Sequence, residues 1–65
     1  MTNKEILAKQ HAIIHRILGE LEEVFEVFNK NPDILDEYEY GEITSGLSDA
    51  ILDVYTVDNR LRGEW

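Results

Sequence analysis

The sequence predicts an all-α fold: a helical hairpin of two long amphipathic helices with a short connecting helix, oligomerising into a four-helix-type bundle. Three observations carry this expectation. Leu7, His11, Ile14, Leu18, Leu21, Phe25 and Phe28 follow a 4-3-4-3-4-3 spacing, which draws one seam along a helix with His11 as its polar intruder. Ile43, Leu47, Ala50, Val54, Val57 and Leu61 repeat the pattern further on. Between the two runs Asn31-Pro32 interrupts the periodicity, and no segment alternates with period two long enough to compete as a strand.

The first helix, about residues 3–29, opens on Thr2 and Glu5, a capping box in which the two side chains satisfy orphan N–H groups of the first turn. Ile6, Ile13, Ile17 and Val24 project beside the seam, so the apolar arc is about half the helix circumference, wider than one partner helix covers. The second helix, about 32–40, starts where Asn31 can cap and Pro32 suits the first helical position. Asp33 then lies at the positive end of the helix dipole, Ile34, Leu35 and Tyr38 give one apolar side, and Gly41 serves as the stop. The third helix, about 42–62, contains Gly46, which costs about 1 kcal/mol relative to alanine in a helix interior, so Thr44 or Ser45 offers an alternative start. Trp65 projects close to Leu47 and Leu61 and is expected to close the bundle end or to form a contact.

The chain, residues 1–65, reads as a single domain. A domain of this size hides only about 60% of the surface its unfolded form exposes, so it needs a staple or a partner. Cysteine is absent, which removes disulfides and thiolate chemistry. Self-association is therefore expected, with Leu7, His11, Ile14, Leu18, Leu21, Phe25, Phe28, Leu47, Val54 and Leu61 at the oligomer interface. No apolar stretch is long enough to span a membrane and no basic leader precedes one, so a cytoplasmic location is expected.

The net charge of −8 is unevenly spread: residues 20–58 hold twelve of the fourteen acids against one base, Lys30. Such a surface repels phosphates, which excludes direct nucleic-acid binding and invites a partner protein with a basic surface. Glu22, Glu23 and Glu26 project to the solvated side of the first helix, whereas Glu20 lies at the margin of the apolar arc. The stretch "DILDEYEYGE" sets tyrosines among five acids, and Asp33, Asp36, Glu37, Tyr38, Glu39 and Tyr40 are the expected partner-binding residues. Alternatively, Tyr38 packs beneath the connecting helix while Tyr40 is merely exposed.

Two further groups point to metals. His11 and His15 are four apart, as helical metal-ligand pairs are, although Ala12 stands where the H-E-x-x-H metalloprotease signature has glutamate. Ordinary interface histidines would use the same spacing, and burial there would make association pH-sensitive. On the third helix Glu42, Gly46, Asp49, Asp53 and Arg60 share a row beside the apolar stripe.

"GELEEVFEVF" followed by "GLSDAILDVY" resembles the two-helix signature of the all-α nucleoside triphosphate pyrophosphohydrolases, the MazG family, whose pattern is E-x-x-E, a spacer, then E-x-x-D. Glu20 and Glu23 match the first pair and Asp49 the final acid, while Gly46 occupies the place of the third carboxylate. The resemblance spans roughly residues 17–58. It implies Mg²⁺ held by Glu20, Glu23 and Asp49, positioning a triphosphate and activating water, and Glu42 or Asp53, each about one turn from Gly46, is a substitute for the missing ligand.

Neither a Ser/His/Asp arrangement nor a glycine-rich phosphate loop is present in the sequence. The leading expectation is thus a small, acidic, self-associating protein without a cofactor. It would act by protein–protein binding, for instance as an inhibitor presenting an acidic face to a basic site, and in type it is similar to small phage-encoded accessory modulators. The alternative is a Mg²⁺-dependent MazG-like nucleotide pyrophosphohydrolase, or a relative that binds nucleotides without cleaving them.

Overall fold

The computed structural model describes residues 1–64, and Trp65, with the contact expected of it, lies outside them. The chain is an all-α helical hairpin: α1 (Asn3–Lys30), a single 3₁₀ turn (Pro32–Ile34) and α2 (Glu37–Arg62). The two long helices lie antiparallel and make a rod with extents of 49 × 14 × 13 Å.

Both long helices begin on side-chain caps. Thr2 Oγ1 accepts the Glu5 N–H at 3.1 Å, and Glu5 Oε1 accepts the Thr2 N–H at 3.4 Å, completing the capping box. Asp36 Oδ1 accepts the Glu39 N–H at 2.9 Å, which starts α2. At the end of α1 the Asn31 side chain folds back to donate to the Val27 carbonyl at 2.8 Å, and Lys30 sits in the last turn, paired with Glu26 at 2.9 Å.

The connection differs from the expected second helix. Pro32 starts only one 3₁₀ turn, Leu35 is extended, and α2 then runs without a break through Gly41, the position expected to stop a helix. The reason is competition between caps. Asp36 engages the α2 backbone with its side chain, whereas Asn31 makes no such bond at the start of the 3₁₀ turn, so the longer helix nucleates at Glu37. No described glycine adopts a positive φ, so Gly41 and Gly46 are helix-interior residues rather than turn formers.

The two helices meet along the expected α1 seam. His11 and Leu18 are buried, and Leu7, Ile14, Leu21, Phe25 and Phe28 are half-buried. On α2 the facing row is Tyr40, Thr44, Leu47, Ile51, Val54, Asp58 and Leu61, every member of it half-buried or, at Asp58, buried. Val57, expected on this stripe, is 44% exposed, and Asp58 takes its place. The residues assigned to the oligomer interface, Leu7, His11, Ile14, Leu18, Leu21, Phe25, Phe28, Leu47, Val54 and Leu61, thus lie on the seam within one chain. A hairpin must satisfy its own helix pair first, and the strongest apolar rows on each helix do so.

This leaves a thin core. Leu18, 5% exposed, is the only fully buried apolar side chain among the described residues. Two apolar rows remain outside it. Ile6, Ile17, Val24, Val27 and Val57 are exposed on the side of the seam that Ile13, Ile43 and Ala50 also approach. On the opposite side Leu52 and Tyr55 are exposed, and Leu52 borders a shallow groove of about 490 Å³ that is also lined by Glu22, Phe25, Glu26, Asn29, Ser48 and Ile51.

Candidate functional site

Two constellations stand out, one at each end of the rod. At the turn end, Asp33, Asp36, Glu37, Tyr38 and Glu39 are all exposed, with Tyr38 at 72%, and Ile34 in the 3₁₀ turn is 58% exposed. Tyr40 is instead half-buried, and its hydroxyl donates to Asn29 Oδ1 at 3.3 Å, tying α2 back to α1. Of the two expectations, exposure holds for Tyr38 and the alternative in which Tyr38 packs and Tyr40 is exposed does not, because α2 begins at Glu37 and turns Tyr40, not Tyr38, onto the seam. The acids here have structural duties as well: Asp36 caps α2, while Glu37 and Glu39 lie in its first turn, where the helix dipole favours negative charge. The nearest base, Lys30, is engaged by Glu26.

At the open end, α1 and α2 share a polar cluster inside the seam. Asp58, 1% exposed, receives His11 Nε2 at 2.9 Å and His15 Nδ1 at 3.2 Å on Oδ1, and Arg62 donates to Oδ2 at 3.0 Å. The i, i+4 spacing brings the two imidazoles to one side of α1, with ring centroids 6.1 Å apart. Burial by itself would push the Asp58 carboxyl upward. The hydrogen bond from His15 and the positive charge of His11, Arg62 and His15 outweigh that, so its pKa is held below the ordinary value of 3.8.

Sequence reasoning found His11 and His15 but missed Asp58. The signal was present: Asp58 lies four residues after Val54 and three before Leu61, on the seam's own spacing, and folding back about residues 31–36 sets it near His11.

The carboxylates named by the family resemblance, Glu20, Glu23, Asp49 and Asp53, are each exposed. Among the described residues, the ligand atoms that converge closely enough to hold one ion belong to His11, His15 and Asp58, all within 4.8 Å of one another. No described helix is long and apolar enough to cross a membrane. The chain matches no protein-family model, no characterised protein and no solved structure.

Proposed function

We propose that the chain is a self-associating acidic helical protein that acts by docking the turn end of its hairpin on a basic surface of another protein. The observation that supports this reading is the exposure of Tyr38 and Ile34 on a turn that also exposes Asp33, Asp36, Glu37 and Glu39. An aromatic anchor framed by charge of one sign supplies contact area at small entropic cost together with long-range attraction to cations. Glu37→Lys with Glu39→Lys is expected to abolish capture of the partner, and Tyr38→Ser to weaken it. Raising salt from about 0.05 to 0.5 M shortens the screening length severalfold and should weaken wild-type binding at least tenfold. Affinity indifferent to both salt and charge reversal would refute the acidic tip.

Self-association follows from the thin core and from the exposed row Ile6, Ile17, Val24, Val27 and Val57. Charge sets its direction. Residues 18–49 carry ten acids against Lys30, a net of −9, while the remaining residues net +1. Two hairpins laid parallel would press one −9 half against another; laid antiparallel, each acidic half meets the other's neutral-to-basic half. Light scattering at micromolar concentration is expected to return twice the chain mass of 7.6 kDa, and Val24→Glu to return the single-chain mass. A wild-type monomer would exclude this arrangement.

A further inference from the structure

We propose that His11, His15 and Asp58 form a site for one divalent transition-metal ion of the Zn²⁺ class, which clips α1 to α2 at the open end of the rod. The ligand chemistry selects the class. Two imidazoles and one carboxylate, with no thiolate anywhere in the chain, suit Zn²⁺, Co²⁺, Ni²⁺ or Cu²⁺, whereas Mg²⁺ and Ca²⁺ require shells of oxygen.

The geometry is close to what such an ion needs. Metal–ligand bonds of about 2.0–2.2 Å in a tetrahedron separate the ligand atoms by roughly 3.3 Å. Asp58 Oδ1 already lies 2.9 Å from His11 Nε2 and 3.2 Å from His15 Nδ1, and the whole set spans no more than 4.8 Å. A shift of under about 1.5 Å completes it, within the rotamer freedom of the exposed His15 side chain.

The surroundings favour the same use. Arg62 holds Asp58 Oδ2 at 3.0 Å, fixing the plane of the carboxylate and leaving Oδ1 turned to the histidines, as outer groups around metal ligands do. The His15 side chain is 65% exposed, so solvent reaches the site from one side and water can supply the fourth ligand. Residues 11 and 58 lie far apart in sequence, and α1 and α2 otherwise enclose one fully buried apolar side chain among the described residues. A small chain without disulfides gains most from such a clip, because an ion that binds only the folded form adds its binding free energy to stability.

The test uses the full chain stripped with a chelator and titrated with Zn²⁺, read by equilibrium dialysis and by thermal melting, with Co²⁺ absorption as a spectroscopic signature. One ion per chain is expected, and a rise in Tm of roughly 10–20 °C at a free metal concentration about 100 times Kd. Mg²⁺ alone should leave Tm unchanged. His15→Ala alters an exposed side chain and should keep the fold by circular dichroism while weakening Zn²⁺ binding at least tenfold. Glu20→Gln with Glu23→Gln should bind as the wild type does. The proposal is overturned if the wild type takes up less than about a tenth of an equivalent near Zn²⁺ saturation of a site of micromolar Kd, or if His15→Ala binds undiminished.

Discussion

Leu18→Ala is expected to leave a chain without a cooperative melting transition at low micromolar concentration. Removing a buried leucine costs about 2–5 kcal/mol, through lost transfer free energy and the void left behind. A domain of 65 residues has a total stability of only roughly 3–10 kcal/mol at about 0.05–0.15 kcal/mol per residue. Leu18 occupies the middle of the α1 seam and is the only apolar side chain fully enclosed among the described residues, so no neighbouring apolar residue compensates for its loss. Ile34→Ala is the matched control, since Ile34 is 58% exposed and its truncation should fall within about 0.5 kcal/mol of wild type. Thermal melts followed by circular dichroism decide the point: if the two variants melt alike, packing along the seam is not what holds the hairpin together.

The second large effect is on the acid limb of stability, in protein kept free of metal. The Asp58 carboxyl is held below its ordinary value, so the folded state prefers its charged form. The sign follows from linkage. An acid whose pKa is depressed on folding contributes stability that is complete above its unfolded value, here near 3.8, and that drains away as pH falls through the lower folded value. Asp58→Asn lacks that contribution at every pH, and leaves His11, His15 and Arg62 clustered without their shared anion. The variant is expected to melt on the order of 10 °C below wild type at pH 6, with the gap closing as the wild type is acidified toward pH 2. Urea midpoints measured across that interval provide the check. A gap that stayed constant through the acid range would mean that the charge of Asp58 is not coupled to folding.

Much of this architecture was legible in the residues. The α1 seam, the Thr2–Glu5 cap and the hairpin follow from local periodicity and from side chains acting within a turn of themselves. What escaped was decided across the hairpin. At 100° per residue Val57 and Asp58 both border the α2 stripe, and hydrophobicity alone selects Val57; the pair of histidines on the other helix, together with Arg62, makes a carboxylate tolerable at that depth. Gly41 reads as a stop until Asp36 is seen to cap α2, after which the glycine lies inside a helix already begun. The exchange of roles between Tyr38 and Tyr40 follows from that one shift of helix start. The acidic turn was legible as composition, whereas the hydrogen bond from Tyr40 to Asn29 joins two helices and has no local signal.

Gly41, Thr44, Ser45, Gly46 and Ser48 crowd the first half of α2, and the two glycines alone forgo about 1 kcal/mol each relative to alanine. Thr44 spends its hydroxyl on the Tyr40 carbonyl at 2.7 Å, a bond that competes with the helical ladder rather than extending it. This half keeps its coil because α1 lies alongside, and its backbone amides will exchange with solvent sooner than those around Leu18. A partner docked on the Tyr38 tip, as proposed above, is therefore expected to add helical order to this half, read as slower amide exchange over residues 41–48.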